Sequence, residues 1–334
     1  MEFGGYLTIE RGDNEYYSEK CYKELIRFNA ARYAIVYAVK VGGYKRVWLP
    51  YYLCRSVYDT LLRYDVECVF YSLNADLEPV HGKLDKDEVI VIVNYYGIKG
   101  EDYYKKCCKK YSNIIFDNTQ AFFMKPIIEE NIYNIYSPRK FVGVADGAYL
   151  ISKCVDLSRN SWYEDIETDS STKRSRFIFE AVEEGTNMHY LDYLEAEKEL
   201  ERSTVRFMSP LTRHILSAID YEQVKFRRKV NFKLAGDNLC EKNKLRFEDL
   251  DVVPMVYPFL VEKGSFIRKE LVRKKVYIPQ WWKWILEDER IKYKINDIEV
   301  ELADNLVPIP IDQRYGKSEM EELLGVVKEE MSKQ

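Results

Sequence analysis

The chain has 334 residues, 46% of them hydrophobic, enough for one large core or for two domains sharing an interface. Its 51 basic and 55 acidic residues leave a net charge of −4, without the concentrated basic face that nucleic acid requires. No apolar run approaches the roughly 20 residues that span a bilayer, and residues 1–13 carry neither the basic nor the apolar region of a secretion signal.

Residues 29–43 open at Asn29, carry apolar residues at helical spacing and end at Gly42 and Gly43, which predicts a helix capped by Asn29. Residues 46–49 predict a short strand closed by Pro50, 56–64 a helix and 67–71 a strand. The run DEVIVIVN over 87–94 is of the buried parallel-strand type. A helix over 101–111 and a strand over 113–116, with Asp117 at its end, come next. A strand over 132–136 leads into a loop through Lys140, and the sheet resumes at 147–152. From about Asp156 a charged, mostly helical stretch runs to about Gly236, broken near Gly185 and at Ser209 and Pro210. Residues 254–261 predict a strand that Pro258 confines to an edge or a bulge, and 265–275 and 317–332 predict helices. This order predicts an α/β chain with a largely parallel sheet and a smaller α/β domain after it.

The seven cysteines are odd in number and lack C-x-x-C spacing, which points to a reduced, cytoplasmic compartment. The three histidines, His81, His189 and His214, lie far from one another and from the cysteines, so no metal site is expected. Trp281, Trp282 and Trp284 are expected to pack the smaller domain against the larger, with a wall of the substrate cleft as the alternative.

In an open parallel sheet, ligands bind beyond the carboxyl ends of the strands. That rule selects the helix start at 29–32, Asp117, and the loop over 137–146. A helix start offers free N–H groups and a positive dipole end, which suit a phosphate. Singly, each feature is ordinary: every helix has an N-terminus, and an aspartate after a strand is often only a cap.

Their order is more informative. Phe116-Asp-Asn-Thr-Gln120, then Ser137-Pro-Arg-Lys140, then Ala145-Asp-Gly147 resembles the DegT/DnrJ-type sugar aminotransferases. Phe28-Asn-Ala-Ala-Arg32 resembles their phosphate-binding helix start, and Val47-Trp-Leu-Pro-Tyr-Tyr-Leu-Cys54 their second strand and turn. Val93-Asn-Tyr-Tyr-Gly97 is similar to their third strand, Phe207-Met-Ser209 to a segment opening their interface helices, and Arg228-Lys-Val-Asn231 to a later helix.

The resemblance implies the aspartate-aminotransferase fold: a three-layer α-β-α large domain with a mainly parallel mixed sheet over 1–225, a helical insertion at about 156–205, and a small C-terminal α/β domain over 226–334. It implies pyridoxal 5'-phosphate as cofactor, attached as a Schiff base to Lys140, with Asp117 keeping the pyridine nitrogen protonated. Ala30, Ala31, Arg32, Ser137 and Arg139 fall at the phosphate, Gln120 near the ring's phenolic oxygen, and Tyr52 or Cys54 at the ring-stacking position. The expected reaction moves an amino group from an amino acid such as glutamate to a keto-sugar nucleotide. A homodimer with shared active sites is expected, in which Arg206 substitutes for an asparagine that reaches the neighbouring subunit's phosphate. Three departures stand out: Asp146-Gly147-Ala148 replaces an acidic-Gly-Gly triplet, the lysine loop is short, and Val205 and Arg206 stand near the missing asparagine. They motivate an alternative, a non-catalytic relative that binds a ligand without transamination.

Overall fold

The computed structural model describes residues 7–154, 161–248 and 251–333. An eight-stranded sheet has the order β1-β8-β7-β6-β5-β2-β3-β4. Its strands are β1 (Leu25–Phe28), β2 (Arg46–Pro50), β3 (Glu67–Leu73), β4 (Pro79–Val80), β5 (Glu88–Val93), β6 (Ile114–Asn118), β7 (Ile132–Tyr136) and β8 (Ala148–Ile151). The five strands β3, β2, β5, β6 and β7 run parallel, while β8, β1 and β4 pair antiparallel at the flanks. Strands β5, β6 and β7 are buried at every position, which accounts for their near-continuous apolar sequences.

The chain builds the sheet outward in one direction through β2, β3 and β4 and in the other through β5, β6 and β7. The topological switch therefore lies between β2 and β5, and the loops beyond the carboxyl ends open a crevice there. Helices α1 (Ala31–Val41), α2 (Arg55–Arg63) and α3 (Glu101–Lys110) connect these strands. Helix α1 is buried from Arg32 through Val39, so its sequence is apolar on all sides.

Asn29 does not cap α1. Ala30 holds the cap position without a side-chain hydrogen bond, and the Asn29 amide donates to Thr204 O at 3.1 Å and Ser203 Oγ at 3.3 Å. Its main chain pairs with Arg206 and accepts from Gly147 N at 2.6 Å. Residues 25–28 form edge strand β1, which the sequence reading missed.

After β8 come α4 (Ser161–Glu164), α5 (Arg176–Glu184), α6 (Tyr190–Arg202), α7 (Pro210–Ser217) and α8 (Tyr221–Leu239). The expected onset of this helical region, at about Asp156, lies outside the described residues. Gly185, at φ +90, ends α5, and Ser209 caps α7 by accepting from Thr212 N.

The C-terminal part is a second, two-stranded sheet of β9 (Val256–Leu260) and β10 (Leu306–Pro310), with α9 (Gly264–Arg273), α10 (Trp284–Glu287), α11 (Asp297–Asn305) and α12 (Lys317–Ser332). Pro258 faces Pro308 across this ladder, and both strands are edges that tolerate a missing N–H. Strand β10 and helix α11 were not anticipated. The core of the large sheet extends to Leu260, Ile285, Leu302 and Leu306 from this part. Among the described residues no helix is long and apolar enough to cross a membrane.

Candidate active site

Four of the crevice loops bring the expected residues together. Lys140 ends the single 3-10 turn Pro138–Lys140 that follows β7. Its Nζ donates to Thr119 Oγ1 at 3.1 Å. Thr119 follows β6, and its N–H binds Oδ1 of the buried Asp117 at 2.9 Å. Gln120 Oε1 accepts from Tyr96 N at 2.6 Å, so the loop after β5 fixes its amide. Cys54, after β2, lies 3.1 Å from Ser56 Oγ.

Cys54, Gln120, Arg139 and Lys140 line one cleft of about 650 Å³. Its opposite wall comes from the C-terminal part through Trp281, Trp282 and Gln313 and from α8 through Arg228. Lys140 is ringed by protein, and its exposed surface belongs to this cleft. Burial holds its amine below the ordinary lysine pKa. The nearby Asp117 carboxylate pulls the other way, and Arg139 adds to the lowering. An amine held below its ordinary pKa near a buried carboxylate is suited to nucleophilic attack on a carbonyl and to proton transfer.

A second feature lies at the tip of α1. Arg32, at the second helical position, is buried, and its Nε and Nη2 find no partner among the described residues. Arg139 pairs with Glu197 of α6, yet its Nε is also unpartnered. Burial and the neighbouring Arg32 push the Arg139 guanidinium down to about 10. Ser137 is buried beside this turn, while Ala30 and Ala31 leave the first-turn N–H groups without a side-chain cap. Unsatisfied buried guanidinium N–H groups are costly, and they combine here with a positive helix end. The chemistry of that donor set suits a phosphate.

Two expected residues stand apart. Tyr52 is fully buried beneath the cleft, its ring edge-on to Trp282 at 4.4 Å, so Cys54 is the residue of this pair that reaches the lining. Arg206 faces Glu167 at 3.3 Å and Asp169 at 4.0 Å, away from the cleft. The three tryptophans pack against the large-sheet part, and two of them also wall the cleft. Trp284 does pack, donating to Leu53 O at 2.7 Å. Trp281 stacks on Tyr96 at 5.8 Å, and both Trp281 and Trp282 form cleft wall. Trp282 and Tyr96 hold left-handed backbone angles, φ +54 and +62, unusual for bulky residues and common where a site is held under strain.

Asp146 anchors the far end of the lysine loop. It is fully buried and accepts from Ser209 N and Ser209 Oγ, each at 2.8 Å, and from Thr212 Oγ1. Arg228 was not singled out as a site residue. Its signal was present, because it interrupts the buried stripe Tyr221, Val224, Ala235 and Leu239 of α8.

No family model matches the chain, and no curated protein matches it in sequence. Solved structures do. A DegT DnrJ EryC1 StrS aminotransferase from Brucella abortus superposes with a TM-score of 0.60 at 11% identity, covering 91% of this chain and 85% of that one. The chain has the fold of the sugar aminotransferases. The sugar aminotransferase CalS13 from Micromonospora echinospora gives a TM-score of 0.64 at 10% identity, covering 92% and 88%. NtdA from Bacillus subtilis, with its bound cofactor PMP, gives 0.59 at 14% identity, covering 91% and 73%. At such identities the likeness is one of fold, and this chain's chemistry rests on its own residues.

Proposed function

We propose that this chain is a pyridoxal-phosphate-dependent aminotransferase. It binds the cofactor through Lys140 and moves an amino group from an amino acid such as glutamate to a keto-sugar nucleotide. One observation carries the reading: Lys140, its amine pKa lowered, lines a cleft, linked through Thr119 to the buried Asp117, while an unpartnered buried arginine stands at the tip of α1. The solved neighbours include a protein with PMP, the amino form of this cofactor, on the same fold.

When bound, the cofactor supplies an electron sink for carbanion chemistry at the substrate. Asp117 would keep a proton at the pyridine nitrogen, and Gln120, fixed by Tyr96, would serve the phenolic oxygen. Arg32, Arg139, Ser137 and the α1 N–H groups at Ala30 and Ala31 would hold the phosphate. Lys140 Nζ would provide the covalent attachment and the base that moves a proton at the substrate carbon. Thr119 Oγ1 positions that amine. Cys54 offers a small, polarizable contact where the resemblance expects a stacking side chain. The proposal includes a cytoplasmic homodimer in which Arg206 turns toward the partner's phosphate.

The alternative, ligand binding without transamination, draws on the Glu197 carboxylate that already pairs with Arg139. Absorbance spectroscopy separates the readings. Protein incubated with pyridoxal phosphate should acquire a visible band that Lys140→Ala abolishes with the fold intact by circular dichroism. Glutamate should then convert the bound cofactor to its pyridoxamine form. A band without conversion favours the binding module, and no band at all ends both cofactor readings.

A further inference from the structure

Arg228 sits on α8 at 2% exposure and lines the active-site cleft opposite Lys140. Its Nε donates to Gln313 Oε1 at 3.1 Å, and its Nη1 to Met255 O at 2.9 Å and Pro254 O at 3.4 Å. The face of the guanidinium lies 4.5 Å from the centre of the Phe141 ring. These contacts fix the group rigidly but satisfy only part of it. Nη2 takes no partner among the described residues, and it is not among the atoms sealed from solvent, so it opens onto the cleft.

The charge is also unbalanced. Among the described residues, no carboxylate lies within 4.0 Å of Arg228. Asp312 is the nearest acidic influence, but both its oxygens are taken by Arg314, at 2.7 and 3.0 Å. Burial and Arg314 push the Arg228 guanidinium down to about 10 against the pull of Asp312. A buried cation without a counter-ion is costly unless something in the assembled site neutralises it.

We infer that Arg228 is the carboxylate anchor of this cleft, its free Nη2 edge binding the carboxylate of the amino-acid donor or of the oxo acid derived from it. A carboxylate fits better than a diphosphate, because Nε and Nη1 are committed and one edge remains. A diphosphate needs several converging donors, and that arrangement stands at Arg32 and Arg139 instead. The two cationic ends give the cleft a polarity, with phosphate held at the α1 tip and carboxylate at α8. The apolar wall between them is Phe141, Trp281 and Trp282. The assignment of this carboxylate to a donor rests on the aminotransferase reading; the existence of the anchor does not.

Glutarate, which has neither an amino nor a keto group, probes the anchor with and without cofactor. Titration followed by the fluorescence of the cleft tryptophans should saturate in the unsubstituted protein. Arg228→Gln should weaken glutarate about tenfold or more, the usual loss for a charge-assisted pair. Gln313→Glu, which hands Nε an internal carboxylate, should weaken it with little change in shape and keeps the test valid if Arg228→Gln fails to fold. Equal affinity in both variants, no saturable response in the parent, or dependence on Arg228 for inorganic phosphate rather than glutarate overturns the anchor. A missing cofactor band with glutarate binding intact would count against the aminotransferase reading alone.

Discussion

A guanidinium that is buried and left without acceptors is an unusual expense in a stable protein, and Arg32 is in that state at the tip of α1. The cost identifies a residue kept for a ligand. Arg32→Met preserves the length and the contact with the Tyr33 ring while removing the charge. The melting temperature of the cofactor-free protein should therefore rise by a few degrees, corresponding to about 1–2 kcal/mol. Affinity for pyridoxal phosphate should fall about tenfold or more, from the loss of a charge-assisted contact. Calorimetric melts and an absorbance titration check the two signs together. A variant that is less stable when empty would mean that Arg32 serves the fold. Asp117, Gln120 and Lys140 were legible because strand ends, order and spacing carried them. Arg228 was overlooked because its value depends on contacts from Met255, just before β9, and from Gln313, after β10, which lie 27 and 85 positions along the chain but adjacent in the fold.

At the scale of elements, long apolar runs announced themselves. Strands β5 and β7 and helix α12 fall at or within a residue of their expected positions. Strand β1 escaped because four residues carry too little periodicity, and β10 because its two prolines argue against a central strand. Helix α11 had a readable signature that was passed over: Asn296 and Glu299 form a complete capping box. Glu299 does more than cap, since its Oε1 also accepts from Leu73 N at 2.9 Å, tying α11 to β3. Burial raises its pKa to about 7 from an ordinary value of 4.5, although both backbone N–H groups oppose the shift. The folded state thus keeps this proton to higher pH than the unfolded chain. Stability due to Glu299 is fully present below pH 4.5 and is lost as pH rises to 7. The loss is on the order of 3 kcal/mol. Urea unfolding at pH 5 and pH 8 should show the parent losing about that much more than Glu299→Gln. Comparison with the variant cancels the contributions of every other titrating group. Equal losses would mean that Glu299 is ionised throughout.

At the scale of the molecule, the cleft exists because two sheets are held at a fixed separation. The bonds that set it are specific: Trp284 Nε1 to Leu53 O at 2.7 Å, Gln313 Nε2 to Phe141 O at 2.7 Å, and Met255 N to Tyr96 O at 2.8 Å. They come from different segments and reach different loops of the large sheet, so no single hinge accounts for them. The apolar core continues across the same boundary through Leu260, Ile285 and Leu302. The proposed division at residue 225 falls inside α8, whose stripe from Tyr221 to Leu239 is buried against both parts. Sequence could suggest two α/β units but not their coupling, which resides in side chains that read as ordinary aromatic and amide residues until the fold aligns them. Elements that share a core and a continuous helix lose their reason to unfold separately. Scanning calorimetry of the full chain should accordingly show one transition, with calorimetric and van't Hoff enthalpies in agreement. Under the proposed function pyridoxal phosphate needs the assembled cleft, so it should move that single peak upward without splitting it. Two resolved peaks, with the cofactor shifting only the one that belongs to the large sheet, would show that the small sheet folds by itself and that the cleft is assembled by docking.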